Sequence, residues 1–317
     1  MRVIPQGLLP ASFAGLLCAN LGLAGSPAEV VGDWQGKTCV SQVTATTNGE
    51  FRANLLKQFD LPDQFIATLH GRAVGEALNF SGEGWKAALA DGKFKGSKGD
   101  ETFQLQRLIR HSPTENAKPP PGAVVLFDGR NLDSWTRQKE RQWLEPDGPA
   151  PWKLINGVME AVPGQRSIIT TRQFGDCDLH LEFLTLGPVN SGVFLQARYE
   201  VGINESYGRL EGSPCGALDN CTAAETRTRV RASFPPRQWQ TFDITFRAPR
   251  FDSSGKKTAN ARATVRLNGV KIYDERELDP PHGAAKRLGE ATTGPIMLQE
   301  HGEPIQFRNI WLVEKSR

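Results

Sequence analysis

The sequence has few of the features that mark helical, membrane-spanning or nucleic-acid-binding proteins. Its longest apolar stretch, Leu8 to Leu23, is short, rich in glycine and broken by Pro10, so it does not make a good membrane span. Long helical periodicities are scarce. The basic residues are dispersed in a chain of formal net charge +3, so no nucleic-acid partner is expected. The 32 glycines and 21 prolines lie between short alternating runs, which predicts an all-β protein.

The N-terminal residues 1–28 have the pattern of a signal peptide. Arg2 supplies a positive start and the apolar stretch follows it. Small residues at Ser26 and Ala28, or at Gly22 and Ala24, fit a cleavage site. We therefore expect an exported protein, periplasmic or extracellular, with no membrane span once the signal is removed.

Cysteine is also scarce. Outside the predicted signal the chain has Cys39, Cys177, Cys215 and Cys221, and their spacing matches no zinc pattern. In an oxidising compartment Cys215 and Cys221 are the natural disulfide pair, because turn-forming residues lie between them. The alternative is four unrelated buried thiols. No cofactor is expected, although the sequence leaves a divalent metal and the oligomeric state open.

A small domain is predicted over residues 29–110. Its short runs are separated by glycine-bearing turns such as Asp91-Gly92, which predicts an antiparallel β domain, although residues 50–59 also fit a short helix. Trp34 and Trp85 are expected in its core rather than as platforms for a sugar. Three consecutive prolines at residues 119–121 then predict a linker over residues 111–122.

A second domain is predicted over residues 123–317. Its alternating runs follow one another without helices, and hairpin turns are expected at Asn156-Gly157 and Asn268-Gly269. In the run around His180 and Glu182, the apolar residues on either side face the opposite way. Strands in this number fit a sandwich of two sheets.

The stretch NSGVFLQARYEVGIN, residues 190–204, has the clearest pattern in this domain. Residues 193–203 alternate between apolar and other side chains without a fault, which predicts one strand introduced by a turn at residues 190–192. The second face carries Phe194, Gln196, Arg198, Glu200 and Gly202. This face is either a plain solvated face or the floor of a site whose aromatic and planar polar groups suit a sugar ring.

Several motifs occur together in an order that resembles one family. They are LFDGRNLDSW, the hairpin after Trp152, NSGVFLQARYEV, GAL, WQTFDITF, LNGV, and LQEHG followed by FRNIW. In this order they resemble the 3-keto-disaccharide hydrolase domain family across residues 123–313. The resemblance implies a concanavalin A-like jelly roll that binds a carbohydrate on its concave sheet.

The resemblance also implies the cleavage of 3-keto-glycosides. A ketone at C3 acidifies the hydrogen on C2, so a base can remove it and expel the glycosidic oxygen from C1, after which water adds to the enone. This chemistry needs one base, one acid for the leaving group, and donors for the enolate oxygen. A carbohydrate-binding module without catalysis is the alternative function.

The resemblance assigns roles to named residues. Glu200 matches the family's glutamate and is expected to be the base or a ligand for a sugar hydroxyl, and His301 matches its histidine and is the expected proton shuttle. The alternatives are an ion pair between Glu200 and Arg198, and a surface role for His301. The other candidates for substrate binding are Gln196, Arg198, Gln299, Arg308, Asn190 and Phe194.

Two of these candidates have an alternative structural role. Arg308 fits an ion pair on a sheet face as well as an enolate contact, and Asn190 fits a turn residue. The sequence also departs from the family pattern: Gly202 replaces a glutamine, Glu205 an aspartate, and Gln196 an arginine. A missing partner for one ligand group costs about 1–3 kcal/mol, which is enough to change the substrate. The departures fit either a wider cleft or a member that binds sugar without cleaving it.

Overall fold

The structure, a computed structural model, describes residues 27–46, 48–75, 77–221, 228, 230–281 and 283–316. Most of the predicted signal peptide, residues 1–26, lies outside the described residues. Within them, no helix is long and apolar enough to cross a membrane. The described helices are a single turn, α1 (Pro27–Val30), and two 3-10 helices, Pro62–Gln64 and Gly283–Leu288.

The N-terminal strands form a closed antiparallel barrel in which each strand pairs with the next and β1 pairs with β8. The strands are β1 (Gly32–Gln35), β2 (Val40–Ala45), β3 (Phe51–Leu56), β4 (Phe65–Val74), β5 (Ala77–Gly82), β6 (Trp85–Ala90), β7 (Lys93–Lys98) and β8 (Glu101–Leu108). Residues 51–56 are therefore a strand, not the helix that we considered. Trp34 and Trp85 are buried in the barrel core, as predicted.

The C-terminal strands form a sandwich of two antiparallel sheets. The front sheet has the order β11-β10-β14-β23-β16-β17, and the back sheet has the order β12-β13-β24-β15-β18-β21-β22, with β9 paired to β24. The strands are β9 (Val124–Phe127), β10 (Trp135–Lys139), β11 (Gln142–Pro149), β12 (Lys153–Ile155), β13 (Val158–Glu160), β14 (Ile168–Thr170), β15 (Cys177–Thr185), β16 (Asn190–Leu195), β17 (Tyr199–Asn204), β18 (Gln240–Arg247), β19 (Arg250–Phe251), β20 (Lys257–Ala259), β21 (Arg262–Leu267), β22 (Val270–Glu277), β23 (Met297–Leu298) and β24 (Ile305–Glu314). β19 and β20 pair separately.

The predicted hairpin turns are confirmed. Asn156-Gly157 joins β12 to β13, Asn268-Gly269 joins β21 to β22, and Asp91-Gly92 joins β6 to β7. In each pair both residues have positive φ, the conformation of a type I′ turn, which asparagine, aspartate and glycine adopt at low cost. Each of these turns fixes the pairing of the two strands that it joins. In the sandwich, the hydrophobic side chains of both sheets meet in one core.

The prediction of one strand from Val193 to Ile203 is wrong. The segment is a hairpin, β16–β17, in which Leu195 pairs with Tyr199 and Phe194 with Glu200. Gln196 and Ala197 have φ of 55° and 52°, and Arg198 N donates to the Leu195 carbonyl at 3.0 Å, which closes a turn. Likewise, residues 190–192, predicted as a turn, begin β16.

The predicted linker does not run free between the two units. Residues 112–117, here called the strap, lie on the outer face of the back sheet. Ser112 Oγ contacts Thr241 Oγ1 at 2.6 Å, Thr114 Oγ1 donates to Asp243 Oδ2 at 2.7 Å, and the backbone N–H of Asn116 donates to Glu182 Oε1 at 2.6 Å. The strap therefore supplies partners for polar groups that belong to the sandwich.

A comparison of two fragments tests the importance of the strap. We expect a fragment of residues 111–317 to be more stable than one of residues 118–317 by at least about 2 kcal/mol, because hydrogen bonds to charged groups contribute about 1.5–3 kcal/mol each. Urea unfolding of both fragments measures the difference. Equal stabilities would show that the strap contributes nothing, and failure of both fragments to fold would show that the sandwich depends on the barrel.

The predicted disulfide between Cys215 and Cys221 is not formed. Cys215 is a free thiol, and its backbone N–H donates to Ser206 Oγ at 2.9 Å. Cys221 Sγ points elsewhere, lying 4.0 Å from the Glu277 carbonyl oxygen. Both side chains are packed in the sandwich core, and burial raises the pKa of the Cys215 thiol to about 12. The alternative of buried thiols fits the structure instead.

Candidate functional site

One glycine of the front sheet, Gly192, makes room for a carboxylate. Gly192 of β16 lies opposite Gly202 of β17 on one side, and its carbonyl accepts a hydrogen bond from Gln299 N at 3.0 Å on the other. A Cβ atom at Gly192 would lie only 2.6 Å from Glu200 Oε1. The half-buried Glu200 side chain therefore lies over Gly192, on the face of the sheet that points away from the sandwich core.

A histidine and two amides lie on β16 and just after β23, toward the start of β16. Strand β23 pairs with β16 so that Gln299 continues opposite Gly192, and His301 follows two residues later beside Asn190. Asn190 Nδ2 lies 3.3 Å from His301 Nδ1. When Asn190 donates this hydrogen bond, the proton of the neutral imidazole is on Nε2, the nitrogen left for a ligand. The Gln299 Oε1 atom accepts no hydrogen bond within the described residues.

The other end of this face is closed by aromatic side chains. Phe194 is buried against Trp143, with ring centroids 6.0 Å apart in an edge-to-face arrangement. Trp143 belongs to β11, four strands away in the sheet, so the β11 edge curves back over the face. Phe194 is therefore covered, and Trp143 is the aromatic residue at the surface at this end of the face. Sequence reasoning missed Trp143, because nothing in its local pattern brings β11 over β16.

Gln196 and Arg198 do not join the site. Both are buried in the turn at the opposite end of the hairpin from His301. Arg198 Nε donates to the Gly289 carbonyl at 2.7 Å, and its Nη1 donates to the Gln196 carbonyl at 2.9 Å. Burial lowers the pKa of Arg198, although nearby Tyr199 and Glu290 oppose this effect. The prediction that these two side chains line the same face as Glu200 is wrong, because the turn redirects them toward backbone acceptors.

Arg308 is also away from Glu200, on the outer face of the back sheet. Its Nε donates to Glu182 Oε2 at 2.6 Å, its Nη2 lies 3.0 Å from Glu115 Oε1, and its guanidinium covers the Trp239 ring at 4.0 Å. The alternative of an ion pair on a sheet face is the one that the structure contains. Asn190, in contrast, is a strand residue beside His301 and not the turn residue that we considered.

The back sheet also holds a buried ionic cluster. His180 Nδ1 lies 2.7 Å from Asp243 Oδ1, and Asn309 Nδ2 donates to Glu182 Oε1 at 2.8 Å. The His180 and Glu182 side chains are almost completely buried. The strap donates hydrogen bonds to Asp243 and Glu182 of this cluster, so the cluster holds the strap against the back sheet.

Metal binding was left open by the sequence. Among the residues that the structure describes, no group of three or more His, Cys, Asp or Glu side chains is placed to hold a metal ion. The candidate site on the front sheet consists of Glu200, His301, Asn190 and Gln299, with Trp143 at one end. It combines a proton acceptor, an imidazole and two amides on a surface that solvent reaches.

This arrangement lies within a segment, residues 122–313, that matches the family of 3-keto-alpha-glucoside-1,2-lyase-like domains. The chain belongs to this family. The predicted resemblance is thereby confirmed, and so is the predicted all-β fold with a sandwich after a small β domain. No curated protein matches the chain.

Two solved structures are similar to this family member. One is a proposed glycosyl hydrolase from Parabacteroides distasonis, with 29% sequence identity, covering 62% of this chain and 85% of its own, at a TM-score of 0.48. Another proposed glycosyl hydrolase from the same organism has 15% identity, covers 66% of this chain and 99% of its own, and has a TM-score of 0.43.

Proposed function

We propose that this protein is an exported carbohydrate-active enzyme that cleaves 3-keto-glycosides on the front sheet of its sandwich. The proposal rests on family membership together with one observation, the Glu200 carboxylate lying over Gly192 on the solvent-facing side of that sheet. The substrate is a glycoside whose C3 hydroxyl has been oxidised to a ketone. The reaction is elimination across C1 and C2, followed by hydration.

In the first step Glu200 accepts the proton from C2. The electron pair of that C–H bond forms the C2–C3 double bond of an enolate, whose negative charge is on the C3 oxygen. Gln299 is hydrogen-bonded through its backbone to Gly192, beneath the carboxylate, and in this proposal its amide binds a polar group of the sugar. A carboxylate can act as this base because the neighbouring ketone makes the C2 proton unusually acidic.

In the second step the enolate collapses and the bond from C1 to the glycosidic oxygen breaks. His301 donates a proton to that oxygen, so the leaving group departs as an alcohol. Asn190 orients the imidazole through Nδ1 and can turn its amide to accept a hydrogen bond when the imidazole is protonated. Water then adds its oxygen to C1 of the enone and gives a proton to His301, and C2 regains a proton from Glu200 after that proton has exchanged with solvent.

The experiment that tests this function is incubation of the full-length protein with 3-keto-trehalose in D₂O. We expect 3-keto-glucose to be released with deuterium at C2, because elimination removes that hydrogen and hydration replaces it from solvent. A control of free 3-keto-glucose without enzyme corrects for spontaneous exchange. Release without deuterium at C2 would indicate direct hydrolysis, and binding without release would indicate a carbohydrate-binding module.

The glycine beneath Glu200 supplies a test of its geometry. In Gly192→Ala the new Cβ would displace the carboxylate, and misplacing a catalytic group by about 1 Å can lower turnover by about 10²-fold. The control is Gly202→Ala, whose Cβ would meet Asn204 Nδ2 at 3.0 Å and leave Glu200 in place. Turnover of 3-keto-trehalose is measured for both variants. Equal turnover would mean that the position of this carboxylate is unimportant.

A further inference from the structure

A groove of about 920 Å³ separates the barrel from the sandwich. The outer faces of β2, β3 and β4 form one wall, where Thr44 pairs with Arg52 and Arg52 pairs with His70. The segment after β17 forms the other wall, with Glu205 and Arg209. This volume lies within the range of about 300–1,000 Å³ that is typical of small-molecule sites.

The groove begins where the candidate site ends. Glu205 directly follows Asn204, the last residue of β17, and Pro188 lies two residues before Asn190, the first residue of β16. Gly192 and Gly202 face each other across β16 and β17, and so do Asn190 and Asn204. The two facing pairs are two residues apart, a distance of about 7 Å along the strands. A second sugar joined to one bound over Gly192 would therefore extend toward the groove.

The lining of the groove suits a hydroxylated ligand. Thr68 and His70 from the barrel, and Glu205 and Arg209 from the sandwich, supply both donors and acceptors. Tyr207 is the aromatic residue among the described lining residues, but its hydroxyl donates to Asp33 Oδ1 at 2.9 Å. Burial raises the pKa of Glu205, against the opposing charge of Arg209, so this carboxyl is shielded from bulk water. These groups match a sugar better than an aromatic group.

The two walls are held at a fixed separation. Arg52 Nη2 and Asn54 Nδ2 donate to the Gly208 carbonyl at 2.9 and 2.7 Å, across the boundary between barrel and sandwich. The backbone N–H of Arg231 also donates to the Asp60 carbonyl at 2.9 Å, and Tyr207 donates to Asp33, across the same boundary. These contacts fix the shape of the groove, and small-molecule sites are usually preformed in this way.

We propose that this groove binds the leaving group of the substrate, and that the leaving group is a second sugar. This inference rests on the proposed function, because it assigns the first sugar to the site of Glu200 and His301. The barrel then has a role in specificity: Thr68 and His70 contact the hydroxyls of the leaving sugar, and Glu205 and Arg209 contact it from the other side.

The test compares a disaccharide with a substrate whose leaving group is only methanol. The double variant His70→Ala, Arg209→Ala removes one polar group from each wall of the groove. In the full-length protein we expect its kcat/KM for 3-keto-trehalose to fall about tenfold, the effect of two lost hydrogen bonds. For methyl 3-keto-α-glucoside, which does not reach the groove, kcat/KM should stay within twofold of the parent.

The control is Arg72→Ala, since Arg72 lies two residues from His70 on the same face of β4 but does not line the groove. Binding is also measured on the Glu200→Gln background, where both substrates stay intact. There the groove variant should weaken only the disaccharide. Equal effects on both ligands, or none on either, would overturn the groove proposal. A parent that binds the disaccharide but never cleaves it would instead refute the proposed reaction, and the binding arm still decides the groove.

Discussion

Replacing Glu200 by glutamine should lower the turnover of 3-keto-trehalose by a factor of about 10² to 10⁴, the usual effect of losing a general base. Glutamine keeps the shape of the side chain and most of its hydrogen bonds, so it still fits over Gly192, but it does not accept the C2 proton. Affinity for the keto-sugar should change little. Steady-state turnover and equilibrium binding of the same substrate separate the two effects.

The control for this variant is Glu314→Gln. Glu314 is a half-exposed carboxylate at the end of β24, 2.6 Å from Arg172. Its replacement by glutamine should leave the turnover of 3-keto-trehalose at the parent level. The variant His301→Ala should also lower turnover more than affinity, because it removes the proton donor for the leaving oxygen. If Glu200→Gln turned over 3-keto-trehalose at the parent rate, the assignment of the base would be wrong.

The front sheet shows how far a periodic pattern predicts structure. The alternation over residues 193–203 correctly divided core-facing from outward-facing strand residues, although the strand is in fact a hairpin. A loop of three residues, Gln196 to Arg198, keeps the parity of the two strands, because Leu195 and Tyr199 are four residues apart and directly opposite. The pattern therefore fitted a strand and a hairpin equally well. No Asn-Gly or Asp-Gly pair marks this turn, whereas such pairs correctly predicted three others.

The candidate site was predictable only in part. Glu200 and His301 were predicted from the motif resemblance. The structure adds Gly192 beneath Glu200 and shows Asn190 beside His301. The contact between Trp143 and Phe194 depends on the curvature of the whole sheet, which no local pattern specifies. Conversely, the alternation around His180 correctly placed it outside the core, but not beneath the strap. A polar residue between apolar ones predicts only which way a side chain faces, not what covers it.

We expect the second large effect, on the free energy of unfolding, at the buried ionic cluster of the back sheet. Burial by itself raises the pKa of Glu182, but hydrogen bonds from His180, Asn309, Arg308 and the Asn116 N–H lower it to about 2, from an ordinary value of 4.5. Burial alone would lower the pKa of His180, whereas its hydrogen bonds to Asp243 and Glu182 raise it overall. Each group is thus stabilised in its charged form by the other and by the strap.

These shifts determine how stability depends on pH. Because the pKa of Glu182 is lower in the folded protein, its contribution is present above pH 4.5 and is lost as the pH falls toward about 2. Because the pKa of His180 is raised, its contribution is complete below pH 6.5 and is lost as the pH rises through the folded value. The cluster should therefore stabilise the fold most between about pH 4.5 and 6.5.

Glu182→Gln should consequently lower the free energy of unfolding by about 3 kcal/mol at pH 6, the value that a shift of this size gives at about 1.4 kcal/mol per pKa unit. Near pH 2 the loss should be small, because Glu182 is then about half protonated in the folded parent and little of the stabilisation of its charged form remains. Urea unfolding of parent and variant at both pH values measures the difference. Glu160→Gln, a carboxylate at 2.7 Å from Gln306 on the same sheet, is the control and should show little dependence on pH. A pH-independent loss in Glu182→Gln would mean that the carboxylate contributes shape rather than charge, and the strap would then hold the back sheet without the ionic cluster beneath it.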